Sequence, residues 1–385
     1  MKNFEFHNPT RIVFGAGTVG RIDQLVPAIA RVLILYGGAS AEKTGTLAEV
    51  RKALGQRSVH EFGGIEPNPS YETLMRAVQL VQAEKLDFLL AVGGGSVIDG
   101  SKFVAAAALY QGEPWEIAEQ GGSNIRQALP IGTVLTLPAT GSEMNSGAVV
   151  TRKATHAKLP FRNPLLFPQF SVLDPSKTFT LPTKQVANGL VDAYVHTIEQ
   201  YLTYPVQASV QDRYAEGLLQ TLIEIAPQAI ATPDDYATRA NLMWTATQAL
   251  NGLIGAGVPQ DWATHMIGHE LTALYDIDHA RTLALVLPAL LDVQRDAKRA
   301  KLLQYAARVW NIHTGSEDER ITAAIEQTRS FFEGLGIPTR LSAYGLAADA
   351  VEAVLQQLQA HGMTALGEHR DIDLARSRRI LQAAL

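Results

Sequence analysis

The 385-residue chain has no cysteine. Disulfides and thiolate-held metals are therefore excluded, and any metal must be bound through nitrogen and oxygen. Charged residues make up 18% and the net charge is −5. There is no basic block and no basic patch interleaved with aromatics, which argues against a nucleic-acid partner. Long apolar runs are also missing. The most apolar late stretch, TLALVLPALL (282–291), is too short for a bilayer and contains Pro288. The opening MKNFEFHNPTRIVFG lacks the apolar core of a signal peptide. The expectation is a soluble, cytoplasmic protein without membrane association. Repeats and low-complexity tracts are absent as well.

What is present is an ordinary globular composition, 46% apolar, in a chain long enough for two domains. RVLILY (31–36) is a β-branched apolar run that stops at Gly37 and Gly38, followed by helical spacing over 41–55. VHEFGG (59–64), LDFLLAV (86–92) and IGTVLTLP (131–138) are further strand candidates, with YETLMRAVQLVQAEK (71–85) as a helix between. Buried strand, glycine turn and helix in alternation predict βαβ units and a parallel sheet. From about Thr183 the periodicity is helical, as in 212–230 and 349–360, and strand-like runs are scarce. The segment 174–185, with Pro175 and Pro182, reads as the joint. The prediction is an α/β dinucleotide-binding domain over 1–182 and an all-helical metal-binding domain over 183–385.

Four segments carry chemistry. AVGGGSVIDGSK (91–102) places Gly93, Gly94 and Gly95 between a buried strand and a helix beginning near Ser96. Such a turn brings backbone N–H groups and the helix dipole to a phosphate, although this is not the G-x-G-x-x-G fingerprint. TLPATGSEMNSG (136–147) offers Thr136, Thr140 and Ser142 as hydroxyls suited to phosphate, ribose or carboxamide. In NGLVDAYVHTIEQ (188–200), Asp192 and His196 stand four apart on one helix face among apolar neighbours. A buried carboxylate is costly unless paired or bound to a metal.

Histidine is concentrated too. Of ten in the chain, His265, His269 and His279 fall within DWATHMIGHELTALYDIDHA (261–280). His265 and His269 are four apart, and His279 reads as a loop residue ten positions on. An Asp and several His from separate segments make an O/N-ligand site for a divalent metal. Spacing alone leaves open which three or four of Asp192, His196, His265, His269 and His279 are ligands. His313, His361 and His369 have polar surroundings and read as surface residues.

Taken in order, FGGIEPNP (62–69), GGGSVIDGSK (93–102), TLPATGSE (136–143), NGLVDAYVHTIEQY (188–201) and HMIGHELTALYDIDHA (265–280) resemble the group III, iron-containing-type alcohol dehydrogenases over the full length. The resemblance is strongest to their NADPH-dependent aldehyde reductase and butanol dehydrogenase branch. It implies a Rossmann-like domain joined to a helical one, as in dehydroquinate synthase, and a homodimer. It implies Asp192, His196, His265 and His279 as ligands of one Fe²⁺ or Zn²⁺, with His269 a non-ligand proton relay beside nicotinamide and substrate.

For the cofactor, the resemblance implies Gly93–Ser96 as the diphosphate cradle and Asp99 near the nicotinamide end, where it is also a catalytic candidate. Thr136 and Leu137 would be adenosine-side contacts, Thr140 and Ser142 nearer the diphosphate and nicotinamide, and Asn68 and Lys158 further contacts, Lys158 on the nicotinamide ribose. Members that use NAD tend to carry an Asp after the second strand, where it repels a 2′-phosphate. Here stand Gly37, Gly38, Ala39 and Ser40, with Lys43 beyond, a stretch read as free of acid. NADP(H) is expected. The implied reaction is reversible hydride transfer between NADPH and an aldehyde held in a cleft between the domains, with the metal polarising the carbonyl. NAD-linked polyol dehydrogenases and dehydroquinate synthase share the plan but carry a different ligand pattern. A non-catalytic metal- or nucleotide-binding protein is the rival from another class, and Asp99, Lys158 and His269 argue against it.

Overall fold

The computed structural model describes residues 1–385. A six-stranded sheet has the order β1-β8-β5-β4-β2-β3, every pairing parallel. Its strands are β1 (Arg11–Phe14), β2 (Arg31–Tyr36), β3 (Ser58–Phe62), β4 (Phe88–Gly94), β5 (Ile131–Leu137) and β8 (Phe170–Leu173). An antiparallel hairpin, β6 (Gly147–Arg152) with β7 (Ala157–Arg162), stands apart from it.

Successive strand residues alternate between two cores, as a sheet covered on both faces requires. Leu33, Leu35, Leu89, Ala91, Ile131 and Leu135 join one core with the Tyr71–Glu84 and Gly95–Ala107 helices. Val32, Ile34, Leu90, Val92, Val134 and Val172 join the other with the Thr46–Leu54 helix. The helix after β2 therefore lies on one face and the helix after β4 on the other. Between these adjacent strands the winding reverses, and the carboxyl ends of strands at such a switch point are where α/β sheets bind ligands.

The expected helix over 41–55 is two helices, Ser40–Lys43 and Thr46–Leu54, separated at Gly45 with φ of 76°. The left-handed conformation, which glycine adopts without strain, ends the first and caps the second. The hairpin, β1 and β8 were not expected; β1 and β8 are only four residues each.

Beyond Pro182 the helices Thr183–Tyr201, Ala263–Tyr275 and His279–Val293 pack together. From Val186 to Tyr201 every residue of the first is buried, so it is a central helix and its polar residues must find partners inside. No helix of the molecule is long and apolar enough to cross a membrane.

The compact units differ from a simple division at 182/183 in two segments. Met1–Phe6 pack with the helical unit, and Ala231–Asn251 with the sheet unit. In the second segment the Tyr236–Ala249 helix sends Met243 into a sheet-side core, Thr247 Oγ1 donates to Glu143 Oε1 at 2.6 Å, and Trp244 packs edge-on against Phe14.

Candidate metal centre and nucleotide cradle

In the helical unit, one carboxylate oxygen of Asp192 and one ring nitrogen each of His265 and His279 lie within 4.8 Å of one another. Asp192 projects from the Thr183–Tyr201 helix and His265 from the first turns of Ala263–Tyr275. His279 is the first residue of the His279–Val293 helix, where the sequence suggested a loop. That helix start is pinned to the first helix, because Asp278 Oδ2 accepts from Lys184 Nζ at 2.7 Å and Asn188 Nδ2 at 3.0 Å.

Asp192 Oδ1 is buried with no hydrogen-bond partner. It stands 3.7 Å from His279 Nε2 and 3.8 Å from His196 Nε2. These gaps are too long for hydrogen bonds but near the spacing of donors that share an ion: ligands ~2.1 Å from a tetrahedral centre are about 3.4 Å apart. His196 lies just outside the tight triad, its ring stacked on that of His265 at 4.6 Å. The donor set is imidazole and carboxylate, which suits Fe²⁺ or Zn²⁺.

His269, one helical turn beyond His265, is also buried. Its ring centroid is 6.1 Å from that of His265 and 5.1 Å from that of His279. The structure thus brings all five Asp and His candidates into one cluster.

Sequence reasoning missed Glu199. It is seven residues after Asp192 and three after His196, hence on the same helix face, and that spacing was the available signal. Its carboxylate is fully inside. Oε2 bonds His265 Nδ1, and Oε1 accepts the Thr264 N–H at 2.7 Å. With Nδ1 held by a carboxylate, Nε2 is the His265 nitrogen left to face Asp192 and His279. Burial, with the nearby Asp261 charge, pushes the Glu199 carboxyl well above the usual range.

His361 is not a plain surface residue: its Nδ1 lies 2.7 Å from Oε1 of Glu270, a carboxylate only 1% exposed. Burial raises the Glu270 carboxyl, and the imidazole opposes that rise.

In the sheet unit, the turns after β2 and β4 meet at the switch point. A Cβ on Gly37 would lie 3.6 Å from Val97 Cγ2, and one on Gly93 2.6 Å from the same atom. A Cβ on Gly95 would fall 2.4 Å from Thr140, so the β4 turn nests against the loop after β5 only as glycine. Gly94 caps the Gly95–Ala107 helix without a side-chain bond, which leaves the first N–H groups directed at whatever fills the cradle.

Thr136 and Leu137 end β5. Thr140 Oγ1 accepts the Ser142 N–H at 3.2 Å, and Ser142 Oγ donates to Asp99 Oδ1 at 2.6 Å. Asp99 Oδ2 accepts the Val149 N–H at 2.9 Å, so both its oxygens are engaged by the protein. Lys158, on β7 and buried, donates to Oδ1 of Asn68 at 2.8 Å, and Asn68 has a left-handed φ of 54°.

Glu42 does stand in the stretch after β2 that the sequence reading treated as free of acid. Its carboxylate is taken up by Arg51, at 2.9 and 3.0 Å, and Arg51 also pairs with Glu61. Ser40 begins the short helix that contains it.

Residues 9–175 match the family model for iron-containing alcohol dehydrogenase, and residues 186–385 that for the C-terminal part of the same family. The chain belongs to the iron-containing alcohol dehydrogenase family. Among curated members of this family it is 62% identical to the NADPH-dependent aldehyde reductase YqhD of Escherichia coli, over the whole of both chains. It is 40% identical to a probable NADH-dependent butanol dehydrogenase of Bacillus subtilis, again over the whole of both. Of solved structures, the substrate- and cofactor-free aldehyde reductase YqhD from E. coli superposes with a TM-score of 0.93 at 60% identity, covering all of both chains. The NADH-dependent butanol dehydrogenase A of Thermotoga maritima does so with a TM-score of 0.95 at 37% identity, covering 100% of this chain and 99% of that one.

Proposed function

We propose that the protein is a metal-dependent, NADP(H)-linked alcohol dehydrogenase that acts as an aldehyde reductase. The observation that carries the reading is the convergence of Asp192, His265 and His279 around a buried, unsatisfied Asp192 oxygen in a member of this family. The 62% identity to an enzyme named as an NADPH-dependent aldehyde reductase supports the substrate class and the cofactor.

Asp192, His196, His265 and His279 would hold one divalent metal. When bound, such a metal would polarise a carbonyl oxygen and stabilise negative charge there, and a bound NADPH would supply the hydride. Glu199 orients His265 and keeps it in the tautomer whose Nε2 is the donor. His269, close to both His265 and His279 but one turn along the helix, is placed to pass a proton to the product oxygen. Gly93–Ser96 would receive the diphosphate through the helix N-terminus, with Thr136 and Leu137 at the end of β5 and Thr140 and Ser142 in the loop after it. Gly37, Gly38 and Ser40 leave room for a 2′-phosphate, since Arg51 holds the nearest acid, Glu42. Lys158, braced by Asn68, meets the nicotinamide ribose. Asp99 holds Ser142 in place and has a positioning role at the nicotinamide end.

The reading extends to assembly as a homodimer. Strand β1 is an open sheet edge, and the Phe14 and Trp244 rings beside it are each 40% exposed. Light scattering measures the mass.

The deciding experiment follows NADPH oxidation with butyraldehyde in metal-stripped protein, before and after adding Fe²⁺ or Zn²⁺. NADH is run in parallel because relatives near 40% identity are named for it. Activity restored by metal and favouring NADPH supports the proposal. Inactivity with every metal and both cofactors refutes it.

A further inference from the structure

Behind the Glu199–His265 pair lies a second set of buried charges. Lys298 has a side chain only 1% exposed. Its Nζ donates to Asp261 Oδ2 at 2.8 Å, to both carboxylate oxygens of Glu368 at 2.8 and 2.9 Å, and to the Leu202 carbonyl at 2.7 Å. Four segments far apart in sequence thus meet on one ammonium.

Two of these contacts lead directly to the ligand helices. Asp261 Oδ1 accepts the Ala263 N–H at 3.0 Å, capping the helix that carries His265, and the Asp261 N–H donates to the Glu199 carbonyl at 2.9 Å. At the N-cap of that helix, Trp262 holds a left-handed φ of 65°, a strained conformation that persists only where its surroundings enforce it. Leu202 directly follows the helix that carries Asp192, His196 and Glu199.

The charges point the same way. The Asp261 and Glu368 carboxyl groups both bond the one ammonium, and each side chain is only 3% exposed. Removing the ammonium would leave carboxylates facing one another in a buried site, where one partner's loss is far more costly than the pair is worth. Asp261 would then pull away from Glu368, and the turn through Trp262 to His265 would move with it.

We propose that Lys298 is a positioning residue for the metal site, fixing the start of the His265 helix through Asp261 and the end of the Asp192–His196 helix through Leu202. This rests on the reading of Asp192, His196, His265 and His279 as ligands.

The test measures Zn²⁺ affinity of the full chain by competition with a colorimetric chelator, and NADPH affinity by fluorescence. Lys298→Met is expected to weaken Zn²⁺ at least about tenfold, the range seen when groups supporting metal ligands are lost. NADPH affinity should stay within about twofold, because Lys298 lies in the other unit. Asp261→Asn keeps an oxygen to cap Ala263 but removes the charge. It should weaken Zn²⁺ by a similar factor, and adding Lys298→Met to it should cost little more. If Lys298→Met does not yield folded protein, Asp261→Asn alone decides. Folded Lys298→Met, or in its absence Asp261→Asn, binding Zn²⁺ like the wild type overturns the proposal, whatever its melting temperature. Asp192→Ala separates the two readings. If it too keeps wild-type Zn²⁺ affinity, the ligand assignment is at fault; if it alone loses Zn²⁺, only the role of Lys298 falls.

Discussion

Glu199 Oε2 lies against His265 Nδ1, both side chains inside the helical unit, with the same carboxylate accepting the Thr264 N–H that opens the His265 helix. One carboxylate therefore sets both the ring orientation and the helix start. Glu199→Gln should keep the fold yet weaken metal binding by roughly 10- to 100-fold, since an amide orients the ring less strongly and does not raise its basicity. Chelator competition checks this, and an unchanged affinity would remove Glu199 from the metal's support.

Loss of a proposed ligand should be more severe. Asp192→Asn is predicted to abolish stoichiometric metal binding and to lower kcat/KM by about a thousandfold or more, as expected when the group that stabilises developing charge goes missing. Metal analysis beside steady-state kinetics is the check. His269→Gln, by contrast, should keep its metal and lose kcat by about 10²-fold, the scale of a general-acid contribution. Loss of metal from His269→Gln would move it into the ligand set.

Gly95→Ala separates cofactor from metal. Its Cβ would meet Thr140 at 2.4 Å, forcing the β4 turn away from the loop after β5 at a cost of about 1–3 kcal/mol. The KM for NADPH should rise about tenfold or more while metal content stays stoichiometric. A normal KM would mean that this turn is not the diphosphate cradle.

Two buried lysines predict opposite pH behaviour. Lys102 donates to Ser142, Asn145 and the Gly147 carbonyl, and burial lowers it from 10.5 to about 8. Lys298 faces two carboxylates, and although burial works against it, they raise it above 10.5. Between pH 8 and 10.5 the unfolded chain binds more protons at Lys102 than the folded one, so that contribution to stability grows as pH rises. The Lys298 contribution is complete below pH 10.5 and is lost only above it. Denaturant unfolding of wild type and Lys102→Met should therefore diverge by about 1–2 kcal/mol between pH 7.5 and 9.5, in favour of the wild type. Parallel curves would contradict the lowered Lys102.

Much of this molecule is legible in its sequence, and the exceptions have physical reasons. β2, β4 and β5 are runs buried on both faces, so hydrophobicity alone marks them. β1, with exposed ends and a half-buried middle, carries no such mark, and the hairpin lies outside the main sheet. Asp192, His196 and the later histidines stand out as polar groups in apolar surroundings. Glu199 shares that helix but ends in an ordinary-looking IEQY, and only its contact with His265 shows what it does. Glu42 shows the reverse: a residue type that argues against NADP by composition is neutralised by Arg51, which lies nine positions away. Helical periodicity over 231–251 is the same whichever unit receives the helix. The decision rests on Met243 and Thr247, whose partners are far away in sequence.

That last exchange makes the two units genetically inseparable. A gene fragment ending at Pro182 would encode every strand of the sheet but not the helix that supplies Met243. The core would lose a fully buried side chain, a defect of about 2–5 kcal/mol when a methionine is merely truncated. Glu143 would lose the Thr247 hydroxyl that donates to its buried Oε1. Fusion, permutation or domain grafting must therefore carry 231–251 along with the sheet, although it is encoded in the middle of the helical half.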